Sequence, residues 1–237
     1  MIGVVLVALS WALLRWQGKS LRELGFDRPQ RRIYELGVGC LVAGAFAAMR
    51  CLYAAWAGGM SWVVNDSLAD GAIAESLRFD VNSVLYEELL FRGYLLYKAI
   101  QWWGERRGVA VSAVSFGVYH WFSMELFGNP VAMVMTFVMT GLFGWMCAVA
   151  FAKSGSVALP IGLHLGWNLV TNTVFSSGPL GARLLLLDPD RMDTLGGLDR
   201  LLIELGVPLS LPILVLCLLL ARKSPLGEVS PAPGESR

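Results

Sequence analysis

Charge is what this chain is short of. Only 16% of its 237 residues are Asp, Glu, Lys or Arg, against roughly 25% in soluble domains. With 56% hydrophobic residues, there is too little polar side chain to coat a water-soluble globule, which excludes ordinary soluble enzyme folds. Histidine is rarer still, with His120 and His164 alone in the chain and 44 positions apart. That separation rules out an HExxH zinc helix. No GxGD sequence occurs either, which removes an aspartyl intramembrane protease. The cysteines are Cys40, Cys51, Cys147 and Cys217, all inside apolar runs and without CxxC spacing. They read as small buried hydrophobes, not as a disulfide framework or a redox motif. Basic residues interleaved with aromatics are missing too, so there is no nucleic-acid face and no nucleic-acid partner is expected.

In place of charge the chain has long apolar runs. They predict an all-α, polytopic transmembrane bundle of about seven spans (six to eight) with a polar cavity inside the membrane. The spans fall near 1–16, 34–57, 81–103, 108–123, 131–152, 156–176 and 200–221. Residues 1–221 read as one domain with its polar motifs at 81–176, and 222–237, rich in Pro, Ser, Gly and Glu, as a disordered cytoplasmic tail. Met1 to Leu14 lacks a basic flank and an A-x-A site, so a retained first helix is expected, not a cleaved signal peptide. Between the first two spans, Leu21 and Leu24 suggest a short interfacial helix.

Charge asymmetry orients the spans. One set of connections carries Arg15, Lys19, Arg22, Arg28, Arg31, Arg32, Arg106, Arg107, Lys153, Arg222 and Lys223. The alternate set has Arg78, Arg183, Arg191 and Arg200 among acids that include Asp66, Asp70, Asp80, Asp188 and Asp190. This positive-inside signal puts the N-terminus outside and the C-terminus in the cytoplasm. An integral protein of a bacterial inner membrane is the expected setting. Trp62, Trp102, Trp103 and Trp121 fall near span ends, where aromatic belts form, while Trp121 and Trp167 also lie close to histidines.

Against this background the polar residues inside spans are informative. Glu87, Glu88 and Arg92 lie in the third span, His120 in the fourth, and His164 and Asn168 in the sixth. Each charge at a helix centre costs about 2.5–3.5 kcal/mol on insertion scales, so such residues pair, face a cavity or do chemistry. Residues four apart share a helix face, which makes Glu88 and Arg92 an internal ion pair, His164 neighbour to Asn168, and His120 neighbour to Phe116. Glu87 is turned about 100° from Glu88 and is left free to act as a base. A desolvated carboxylate is a competent base near neutrality, and with an imidazole it can hold and deprotonate water. A second imidazole and a carboxamide can stabilise an oxyanion. Alternatively, Glu87, His120 and His164 make a standard zinc set. Against zinc, no acid lies three or four residues from either histidine to orient it as a metal ligand. Ser154-Gly155-Ser156 is a cytoplasmic connection, too far from His120 for a serine dyad.

Glu87-Glu88-x-x-x-Arg92, Phe116-x-x-x-His120 and His164-x-x-x-Asn168, in that order, resemble the CPBP family of intramembrane proteases (CAAX prenyl endopeptidases and bacteriocin-processing, or Abi, proteins). Leu24-Gly25-Phe26 and Ser154-Gly155-Ser156 look like the family's usual flanks. The resemblance implies an intramembrane endopeptidase with a conical cavity in which Glu87 and His120 activate water. His164 and Asn168 would stabilise the oxyanion, and Glu88, Arg92 and Phe116 would give support. It implies a glutamate-type enzyme without a cofactor, with zinc as the alternative. The substrate would be a membrane-embedded protein or peptide, including C-terminal or prenyl-type sorting signals. One departure stands out: CAAX processing is cytoplasmic, whereas the charge count puts Glu87 and His120 nearer the outer face. Two other readings compete. One is a non-catalytic family member acting in bacteriocin immunity or as a membrane scaffold, which has no need of Glu87 with both histidines. The other is a proton-coupled carrier, for which the inverted repeat of broken helices is missing.

Overall fold

The computed structural model describes residues 2–187, 195–223 and 225–226. Asp188, Asp190 and Arg191, and nearly all of the tail expected to be disordered, lie outside the described residues. The helices run α1 (Ile2–Trp16), α2 (Pro29–Ala57), α3 (Ala72–Arg92), α4 (Tyr94–Ser123), α5 (Pro130–Ser154), α6 (Ala158–Asn168), α7 (Gly197–Leu201) and α8 (Val207–Leu220). Leu169–Val174 continues α6 as a π-turn, and Leu202–Gly206 joins α7 to α8 in the same way. Strands β1 (Val63–Val64) and β2 (Leu185–Leu186) pair antiparallel and tie the loop after α2 to the one after α6.

Among the described residues, three helical stretches are long and apolar enough to cross a bilayer, Leu21–Ala57, Pro130–Ser154 and Gly197–Leu220, and Ile2–Trp16 is a shorter apolar helix. The span read at 81–103 is corrected. It breaks at Gly93, whose ψ of −132° is not helical, so α3 ends at Arg92 and starts nearer the N-terminus, at Ala72. Residues after Gly93 begin α4, which kinks at Gly104 (φ 79°, ψ 165°). Apolar side chains carry no signal for the break at Gly93, whereas the kink at Gly104 falls between the spans read at 81–103 and 108–123.

Lipid is as apolar as leucine, so contacts between these helices depend on close backbone approach and on polar bonds. The α2–α6 contact shows the first. A Cβ on Gly162 would sit 2.2 Å from the Leu36 carbonyl oxygen, and one on Gly166 would sit 2.1 Å from that of Cys40. Only glycine allows the two backbones to meet there. The second device runs along α3, where Ser76, Asp80, Val84, Glu88 and Arg92 recur every four residues on one buried face.

The expected interfacial helix is instead a 3₁₀ turn, Leu21–Leu24, and Leu24 is fully buried. Its C-cap, Gly25, has φ +86° and lies so close to Ser156 that a Cβ would come within 2.4 Å of that side chain. The Val157 amide donates to the Leu24 carbonyl at 3.1 Å. The two flanking motifs read from the sequence therefore meet at the base of α6. Arg32 clamps the joint, donating to Asp27, to Glu35 and to the carbonyls of Gly25 and Ser154.

Candidate active site

Glu88 is fully buried on α3. Its Oε1 accepts from Nη1 of Arg92 at 3.2 Å, the ion pair expected from four-residue spacing. Arg92 is equally buried, donates through Nη2 to the Gly144 carbonyl at 3.1 Å, and lies flat against the Phe116 ring at 4.1 Å. Gly144 is glycine because a Cβ there would meet Phe116 at 2.9 Å and Arg92 at 3.0 Å.

The spacing did not reveal the other partner of Glu88. Nδ1 of His164 lies 2.8 Å from the same Oε1. A carboxylate accepts, so Nδ1 carries the hydrogen, and in the neutral tautomer Nε2 is then the lone-pair nitrogen. That nitrogen lies 3.9 Å from Oε2 of Glu87, which is buried and has no hydrogen-bond partner. Glu87 and Glu88 thus meet opposite nitrogens of one imidazole. No acid lies three or four residues from either histidine, as the sequence shows, but one orients His164 from another helix, where local spacing cannot report it, so that spacing does not count against zinc.

His120 takes its orientation from α4 itself, through a 2.8 Å contact between Nδ1 and the Phe116 carbonyl. That oxygen can only accept, so in the neutral tautomer of His120 Nε2 is again the lone-pair nitrogen. The Phe116 ring stands edge-on between both imidazoles, with centroids 4.6 Å from His120 and 6.1 Å from His164. A cavity of about 250 Å³ is lined by His120, His164, Asn168, Trp167, Phe143 and Met139, among others. Asn168 lines it too, and its carboxamide makes no hydrogen bond to any described residue. Of the two tryptophans near histidines, Trp167 lines the cavity. Trp121 turns away and donates to the Met133 carbonyl at 2.8 Å.

Asp80 is a further correction. Counted from the sequence among exterior acids, it is fully buried on α3. It accepts from Nδ2 of Asn172 at 2.7 Å and Oγ1 of Thr173 at 2.9 Å, and Thr173 in turn accepts from Ser76 at 2.8 Å. The available signal was the four-residue recurrence Ser76, Asp80, Val84, Glu88.

Tetrahedral zinc with bonds of about 2.0–2.1 Å to N and O ligands needs at least three protein donors converging on one point. Among the described residues no three His, Cys, Asp or Glu side chains do so. Two acceptors 3.9 Å apart, each backed by its own helix, suit a bound water.

Comparison with protein families bears on the same residues. The family model described as "Type II CAAX prenyl endopeptidase Rce1-like" matches residues 71–170. Over those residues the chain is similar to the Rce1-like family. The match takes in Glu87, Glu88, Arg92, Phe116, His120, His164 and Asn168, and it leaves out α1, α2 and α8. Neither the curated proteins nor the solved structures yielded a match. The Rce1-like assignment indicates a protease, and with the long apolar helices it makes the chain an integral membrane protein.

Proposed function

We propose that the chain is a glutamate-type intramembrane endopeptidase in which Glu87 and His164 hold the attacking water. The observation that carries this reading is the pair of facing acceptors, Oε2 of Glu87 and Nε2 of His164, 3.9 Å apart with the carboxylate oxygen unpartnered. Two acceptors cannot bond each other. A water at hydrogen-bond distance, about 2.8 Å from each, donates one hydrogen to each. As Glu87 takes its proton, the water oxygen bonds to the scissile carbonyl carbon and the carbonyl becomes an oxyanion. The carboxamide of Asn168, which lines the cavity, donates to that oxyanion. Collapse breaks the C–N bond, and the leaving amine takes the proton from Glu87 directly or through Nε2 of His120. Glu88 fixes the tautomer and direction of His164, and Arg92 keeps Glu88 ionised inside the bundle. This pairing departs from the one the resemblance implies, where His120 shares the water, because His164 is the imidazole next to Glu87.

Met124 and Pro208 also line the cavity, and both lie toward the side that the distribution of Lys and Arg assigns to the exterior. The substrate in this reading is a membrane-anchored protein cut on the outer-leaflet side of a bacterial inner membrane, as a C-terminal sorting helix would be. The test compares membrane peptides of cells carrying the wild-type protein or Glu87→Gln. One or a few uncut proteins should accumulate in the variant, at unchanged enzyme abundance. Identical peptide sets, with the variant still cleaving, would sink the proposal.

A further inference from the structure

We infer that Asp80 is a positioning residue for Asn168, acting through the π-turn that follows it; this rests on the oxyanion role given to Asn168 above. Asn168 is the last residue of α6, and Leu169–Val174 is π-helical from the next position. On one side of Asn168 the helix is pinned to α3 by His164 and Glu88. On the other it is pinned to the same face of α3 by Asn172 and Thr173, both donating to Asp80.

The register of the turn follows from those two bonds. In an α-helix each residue advances about 100°, so Thr173, nine positions after His164, would point about 180° away from it. An i→i+5 turn absorbs roughly one extra residue. That brings Thr173 back by about 100°, within reach of α3. Asp80 can accept from Asn172 and Thr173 together only in the π register.

The segment beyond the turn is anchored as well. The Ser177 amide donates to the Thr171 carbonyl at 2.8 Å, the Leu184 amide donates to that of Thr173 at 3.2 Å, and β2 pairs with β1. With both ends held, by His164 and Gly166 before the turn and by these bonds after it, a return to α register has to be taken up between them, and the Asn168 carboxamide leaves its place in the cavity. A fully buried carboxylate with only neutral partners is an expensive way to hold two helices together. Setting the angle of an oxyanion donor accounts for the expense.

Two measurements test this. The first is a structure of purified Asp80→Ala protein: residues 169–174 should return to α register with Asn168 turned out of the cavity. An unchanged π-turn with Asn168 in place overturns the inference whatever the enzyme cleaves. The second is a double-mutant cycle on hydrolysis, in micelles, of an internally quenched peptide spanning the cut site of a protein left uncut in the Glu87→Gln cells. Asn168→Ala should lower kcat by about 10²-fold or more, Asp80→Ala by a similar factor with KM little changed, and the double variant by no more than either alone. Multiplying losses would make Asp80 structural only, whereas full activity of Asn168→Ala would refute the oxyanion role itself. Asp80→Asn, which accepts from Thr173 and donates to a flipped Asn172, should keep register and rate. If Asp80→Ala fails to accumulate, Thr173→Val stands in for it and is expected to shift the turn in the same direction.

Discussion

Replacing Glu88 by alanine should unfold this protein more readily than any change at Glu87. Both partners of the Glu88–Arg92 pair are at 0% side-chain exposure, so removing the carboxylate leaves a guanidinium in the bundle with no anion. Arg92 would keep the Gly144 carbonyl and the Phe116 face, but those contacts exist already and compensate nothing. Its Nε has no partner even in the intact protein. Breaking such a pair costs about 3–5 kcal/mol, out of a total of roughly 5–15 kcal/mol for a typical domain. The folding equilibrium should fall roughly 100- to 4000-fold, at 1.4 kcal/mol for each factor of ten. Equilibrium unfolding in mixed micelles reads this directly. The control is Glu88→Met with Arg92→Met, which removes both charges at similar volume and should recover most of the loss, since an apolar pair often matches a buried ionic one. A single Glu88→Ala variant within about 0.5 kcal/mol of wild type would refute the reasoning, because surface-like substitutions give that value.

Gly25→Ala should destabilise the fold by more than about 1 kcal/mol, because alanine is strained at positive φ and its Cβ would strike Ser156; thermal melts in micelles check it, and an unchanged midpoint contradicts the tight joint. Hydrolysis by the purified protein should survive a strong zinc chelator, and loss of activity reversed only by added zinc would end the glutamate mechanism. A reporter fused after Arg237 should be active only in its cytoplasmic form, and activity confined to the exterior would reverse the membrane orientation and move the cavity to the inner half. His164→Ala should lower kcat more than His120→Ala at equal abundance, and the opposite order would return the water to His120.

Much of the candidate site could be read along the chain because it depends on local spacing. Glu88 and Arg92 pair four residues apart on one helix, and a 3.6-residue period predicts that without knowledge of the fold. The gathering of Glu87, His120, His164 and Asn168 followed from cost, since isolated polar groups in lipid must find one another. What stayed hidden depends on partners far apart in sequence. The Glu88–His164 bond joins positions 76 apart, and no periodicity encodes it. Asp80 looked like a loop acid because the apolar run was judged to start at Val81, whereas α3 starts at Ala72. Gly93 breaks a helix that its neighbours' hydropathy would continue. The π-turn is set by a carboxylate on a different helix, so Leu169–Val174 reads as ordinary helix when taken alone.

The glycine-to-carbonyl contacts between α6 and α2 separate two notions of a domain. Similarity to a family ends at residue 170 and begins at residue 71. The mechanical unit is larger, because α6 bears His164 and Asn168 yet rests its backbone on Leu36 and Cys40 of α2. A peptide trimmed to the recognisable segment would retain every chemically active side chain and lose the floor under two of them. In homologues, α2 is free to drift in side-chain identity as long as its carbonyls keep their track. Sequence similarity would then fade over the helix that bears the mechanical load, while Gly162 and Gly166 stay fixed opposite it.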